Sequence, residues 1–372
     1  MKQALLDNLK NLRGFRTKRK IVVLSVDDYG AVTLDSVKAM NKLALNYSND
    51  VGHFHKYDSL ETKSDLEALY DVLNSVKDIN NKPAVFTPFA IPCNINFEKV
   101  IADKTRYYHE TLPETFEKLS SRHPNTYTGA WEIWKQGLNE GLMKPQFHGR
   151  EHLHIGIFES WLEKKNPLLL SALENRSFAF TPNSPKKYHS VGAAFGFDHL
   201  SENKQYEEVI IDGLNRFEEV FGYRANHFNA PAGVESKQIH GYLKENGIDY
   251  IDQPLIKKEH LGGGKFKKEI NYTGKKNRHG QTYIVRNVIF EPAKHPNADN
   301  VGKALKQVEA AFRWNKPANI SSHRVNYCGH IDPQNRRRGL AALKELLQRI
   351  VKKWPDVEFM GVDEMVRVVE GR

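Results

Sequence analysis

Only two cysteines, Cys93 and Cys328, occur in 372 residues, which excludes a disulfide framework as the source of stability. No run of about 18 apolar residues appears, so a membrane-spanning helix is excluded. The opening segment interrupts its short apolar patch with Asp7 and lacks a secretory h-region, so a cytoplasmic location is expected. Linkers rich in Pro, Gly or Ser, internal repeats and low-complexity segments are all absent, and the expectation is one domain over 1–372. Zinc-finger spacing, an RNA-binding aromatic signature and a helix-turn-helix pattern are absent too, so nothing but net charge speaks for nucleic acid.

What is there is an ordinary globular composition, 40% hydrophobic and 27% charged. That balance excludes disorder, collagen and coiled coil. The net charge is +10, and much of it sits between Ile256 and Gly280. Eight lysines and arginines fall there against Glu259 and Glu269, among five glycines. The glycines predict an irregular loop, either a solvated surface or a patch for an anionic glycan or lipid head group.

The run Ile21-Val-Val-Leu-Ser-Val26 predicts a strand buried on both faces of a parallel sheet. Further strands are expected at Ala84–Ala90, Gln146-Phe147, Phe178–Phe180, Tyr250-Ile251, Tyr283–Val285 and Asn319–Ser321. Helices are expected from about Asp35 to Tyr47, from Ser64 behind a serine cap, over Val209–Ile211 and from Leu340 to Trp354. Alternation of the two predicts a parallel α/β fold. Residues 91–145 carry three helical segments and little strand, the mark of a helical insertion. Its aromatics (Tyr107, Tyr108, Tyr127, Trp131, Trp134) either pack on the main fold or stack on sugars.

Catalytic groups of parallel barrels gather at the C-terminal ends of strands, and four strand ends stand out. Asp27-Asp28 places two like charges side by side, which costs energy unless a cation neutralises them; a polar turn is the bland alternative. His148 and His152 frame Phe147-His-Gly-Arg-Glu-His152. Sixteen histidines in this length give about 0.7 such pairs by chance, so the spacing alone is weak. Placement adds information: His148 ends a strand, and His152 is expected on the first turn of the next helix. Two imidazoles and a carboxylate make an open site suited to zinc. Phe228-Asn-Ala-Pro-Ala-Gly233 forms a turn leading to a helix near Glu235. Ile320-Ser-Ser-His323-Arg324 ends a late strand in histidine.

In this order, the four motifs resemble the polysaccharide deacetylase superfamily, carbohydrate esterase family 4, from about Ile21 to the end of the chain. The resemblance implies a deformed (β/α) barrel, usually of seven parallel strands, and hydrolysis of N-acetyl or O-acetyl groups on an amino-sugar glycan or its precursor. It implies a divalent transition metal, zinc first, held by Asp28, His148 and His152. Asp27 matches the catalytic base and His323 the catalytic acid. Ala232 stands where a backbone N–H supports the oxyanion.

This chain departs from the pattern in three places. Tyr29 precedes Gly30, where the family has glycine directly after Asp-Asp. Asn229 replaces the arginine that orients the base, and the Asp-x-x-Trp partner motif has only Asp252 as a candidate. Arg150 or Arg324 is expected to supply the missing positive charge. A YdjC-like carbohydrate deacetylase is the alternative, since Asp28-Tyr29-Gly30 lies close to its Asp-Phe-Gly; His53 or His55 would then be a ligand. A non-catalytic barrel holding an anionic glycan on the 256–280 loop is the other alternative.

Overall fold

A computed structural model of the chain describes residues 2–44, 56–178 and 188–371. The thirteen strands among them are β1 (Lys20–Tyr29), β2 (Phe86–Ala90), β3 (Cys93–Ile95), β4 (His109–Thr111), β5 (Gln146–Phe147), β6 (His227–Phe228), β7 (Tyr250–Asp252), β8 (Ile256–His260), β9 (Phe266–Ile270), β10 (Thr282–Ile284), β11 (Val288–Ile289), β12 (Ala318–His323) and β13 (Val357–Phe359). Eight run in the order β10-β7-β6-β5-β2-β1-β12-β11, with β13 pairing to the start of β1. Every neighbouring pair in this sheet is parallel. The result is a curled, deformed (β/α) barrel with eight strands along its path rather than seven. Its two edges, β10 and β11, share no ladder among the described residues. They are joined by the three-residue crossing 285–287.

The expected strand at 21–26 is the central one, and every residue from Ile21 to Asp27 is buried. Side chains alternate across a strand, and β1 divides accordingly. Val22, Leu24 and Val26 pack outward in the large core shared with the helices. Ile21 and Val23 face inward, clustered with Tyr250, Ile284, Met365 and Val366. The last two come from the helix Val362–Val369, which plugs the barrel at the N-terminal ends of its strands. Farther along the same inward faces the residues turn polar: Ser25 and Asp27 on β1, Asp252 after Tyr250, and Arg286 after Ile284.

Several boundaries differ from expectation for local reasons. The helix expected behind a serine cap is Lys63–Asn74, capped by Thr62 with Asp65 returning the bond in a capping box. Val209–Ile211 lies inside the helix Tyr206–Phe221. The helix after Asp35 is described as Val37–Ala44. Its expected end, the candidates His53 and His55, and the run Ala179-Phe180 all lie outside the described residues.

Residues 91–145 hold four helices and a two-stranded ribbon, β3 with β4. Tyr127 and Trp134 are fully buried in the core, and Trp134 Nε1 donates to Glu61 at 2.7 Å. Within the 256–280 segment, residues 256–270 form a regular antiparallel hairpin, β8 with β9, rather than an irregular loop, whereas 271–280 are turns and irregular backbone as expected.

Candidate active site

Two adjacent carboxylates on a regular strand point to opposite faces. Here the register of β1 against β2 shifts between Val26 and Tyr29, and Asp28 adopts φ 73°. This bulge turns Asp28 toward the mouth of the barrel beside Asp27. A left-handed non-glycine residue costs roughly 1–2 kcal/mol, so the turn needs support. Gly30 N–H donates to Glu61 at 3.2 Å, and Asn94 bonds both Gly30 O and Val32 N at 2.8 Å. Gly30 itself is at φ 84°, and a Cβ there would lie 2.6 Å from Ile91 O, so only glycine fits.

Asp28 Oδ1 lies 3.3 Å from His148 Nε2 and 3.4 Å from His152 Nε2. His152 precedes the helix Ile155–Glu163 instead of riding on its first turn; His154 is the N-cap, its Nδ1 accepting from Ile157 N–H. His148 Nδ1 donates to Asn229 O at 2.7 Å. In the neutral ring that leaves Nε2 with its lone pair facing a carboxylate oxygen, two acceptors that need a proton or a cation between them. Ligands at about 2.05 Å around a tetrahedral zinc would be spaced about 3.3–3.4 Å apart. The donor set therefore fits a divalent cation. Burial alone would raise the Asp28 pKa, but with a proton on each facing Nε2 the hydrogen bonds from His148 and His152 outweigh it and hold it well below the usual range. A second cluster, His154, His189 and Glu202, also draws donor atoms together. There the Nε2 of His154 is engaged as well, 3.3 Å from the Tyr206 hydroxyl.

Asp27 sits in register with His323 across β1 and β12, with Oδ2 3.8 Å from His323 Nε2. The charge that holds it comes from neither Arg150 nor Arg324. Arg150 pairs with Glu151 and Asp212, each at 2.7 Å. Arg324 is fully buried between Asp58 and Glu61. Arg286 occupies the role instead. Its Nη1 and Nη2 each donate to Asp27 at 2.8 Å, its Nε donates to Asp252 at 2.6 Å, and its guanidinium lies 4.6 Å from the Phe89 ring centroid. Asn229 Nδ2 adds a bond to Asp27 at 2.9 Å. His227 Nε2 lies 2.8 Å from the other oxygen of Asp252.

Glu291 is the second group that motif reading misses. Its Oε1 lies 2.6 Å from His323 Nδ1, and Asn326 donates to its other oxygen at 2.7 Å. Burial disfavours the charged form of His323, but Glu291, then Asp28 and Asp27, outweigh it and push the pKa up to about 9. Arg286 and Glu291 both follow short apolar strands, the same signal that singled out Asp27 and His323. Ala232 lies in the turn Pro231–Gly233 at φ 57°, and the following helix begins at Ile239 rather than near Glu235.

No protein-family model matches the sequence, and no curated protein matches it. Solved structures of similar course include a Pseudomonas aeruginosa PAO1 protein described as a polysaccharide deacetylase. It shares 11% identity at a TM-score of 0.46, over 94% of this chain and 91% of that one. The allantoinase PuuE matches at 11% and 0.46, over 94% and 90%. The peptidoglycan deacetylase PdaC of Bacillus subtilis matches at 11% and 0.38, over 95% and 93%.

Proposed function

We propose that the protein is a metal-dependent hydrolase that removes N-acetyl groups, with O-acetyl as second choice, from an amino-sugar glycan or glycan precursor. The observation that carries this reading is one convergence. A cation-competent triad, a clamped carboxylate and a carboxylate-backed imidazole meet at the C-terminal ends of β1, β5 and β12.

Asp28, His148 and His152 would hold a divalent cation, zinc first, which would supply a water of lowered pKa and polarise an acyl oxygen. Asp27 takes the proton of the attacking water, its carboxylate oriented by Arg286 and Asn229. The backbone N–H of Ala232 is assigned to the oxyanion. His323, charged while Glu291 backs its Nδ1, gives its Nε2 proton to the leaving amine. Water and amide thus become acetate and free amine. The missing motif arginine favoured a non-catalytic barrel; Arg286 removes that argument.

The test is elemental analysis followed by an acetate-release screen over N- and O-acetylated oligosaccharides. About one equivalent of metal is expected. Asp27→Asn should keep the metal and lose about 10²–10⁴-fold in turnover. Metal-loaded protein that releases no acetate from any of these substrates, or Asp27→Asn with unchanged turnover, would sink the reading.

A further inference from the structure

A two-stranded ribbon lying on a protein normally turns apolar side chains inward and charge outward. The β8–β9 hairpin does the reverse. On its inner face, Lys257 is buried with Glu235 and Glu259, and Glu269 pairs with Lys237. On its outer face, Ile256 pairs across the strands with Ile270, and Lys258 with Lys268. Ile256, Ile270 and Phe266 are 53, 49 and 47% exposed; toward the turn, the Phe266 ring also packs on His260 and Tyr188. Lys265, at the turn, is exposed near them. A slip of one residue would exchange the two faces, and the buried ion pairs hold the register against it.

We infer that this outer face docks onto an anionic lipid bilayer surface, its apolar side chains at the boundary between head groups and acyl chains and its lysines among the phosphates. An acidic soluble glycan would use the lysines but gains nothing from three apolar side chains held in water. A second copy laid on the same face would bring like-charged lysine rows together. Apolar anchors among lysines match the chemistry of an interfacial membrane contact. The hairpin starts four residues after Asp252, at a strand end of the catalytic mouth, so docking brings that mouth to the membrane. The inference stands apart from the proposed chemistry, because its test reads no turnover.

The experiment is sedimentation of the full chain with vesicles of phosphatidylcholine alone or with about one-third phosphatidylglycerol. Partitioning should be at least about tenfold greater onto the anionic vesicles and should fall in about 0.5 M salt. Lys258→Glu with Lys268→Glu, and separately Ile256→Thr with Ile270→Thr, should each reduce it about tenfold. These positions are exposed, so thermal unfolding should be unchanged. The inference is overturned if anionic vesicles do not bind, or if binding survives both variants. It also falls if heparin and vesicles bind alike and only the charge variant weakens them. A dimer broken by the apolar variant, with no vesicle binding, would make the face a self-association surface.

Discussion

Arg286 forks onto Asp27 from 259 positions away in the chain, with both Nη atoms 2.8 Å from the carboxylate oxygens. It reaches there because the barrel's two edge strands are joined by the crossing that carries it. The same guanidinium spans to Asp252, so one planar group orients the candidate base and is itself oriented.

Lysine at this position keeps the charge but cannot bridge two carboxylates with a fixed fork. Arg286→Lys is expected to lower kcat about 10²-fold, with metal content unchanged and KM little moved. Full turnover in the lysine variant would remove the positioning role.

Under the proposed chemistry, His323 governs the alkaline side. With its pKa pushed up to about 9, it stays protonated through neutral pH, and kcat/KM should fall as pH rises through that region. Glu291→Gln keeps an acceptor for Nδ1 but removes the charge, so the limb should move down toward the ordinary 6.5. Positive charge at the Asp28 site acts in the same downward sense, so the limb lies lower in metal-loaded protein than metal-free titration of His323 indicates. The raised pKa also adds stability, fully present below about pH 6.5 and lost as pH rises through about 9. An alkaline limb identical in wild type and Glu291→Gln would show that His323 is not the acid.

Asp28→Asn preserves the side-chain shape and tolerates the left-handed backbone, yet withdraws the only anionic donor of the triad. Metal should drop well below stoichiometric on elemental analysis while the unfolding midpoint stays close to wild type. Alanine at both His53 and His55 should leave metal content normal; loss there would favour the YdjC-like ligand set.

Arg324 is a fold-stability residue on this geometry. Replacing it with Met strands the buried Asp58 and Glu61 carboxylates, which should cost about 3–5 kcal/mol in chemical denaturation. A loss below about 1 kcal/mol would mean the pair behaves like an exposed one.

The alternating pattern and the β-branched run at Ile21–Val26 made the parallel α/β fold legible, because buried strands leave continuous apolar stretches in one dimension; its closure into a barrel was implied only by the motif resemblance. The strand ends likewise marked Asp27, Asp28, His148 and His323 as residues worth placing. Arg286 and Glu291 carried the same local mark but stayed hidden, since periodicity says nothing about which strand ends share a mouth. The hairpin's inverted faces were equally invisible: they depend on Glu235 and Lys237, whose proximity to Lys257 and Glu269 is a tertiary fact.

By itself, then, the chain's pattern of apolar runs and polar ends determined a parallel α/β fold and a short roster of chemistry-bearing residues, and the order of its motifs implied the barrel. Tertiary structure alone decided which of them meet: that Asp28 turns beside Asp27 through a bulge, that the arginine on Asp27 is Arg286 and not Arg150 or Arg324, and that Glu291 backs His323. The reason is physical. Secondary structure follows from local backbone and burial preferences, whereas charge pairing depends on distances closed only when the sheet curls.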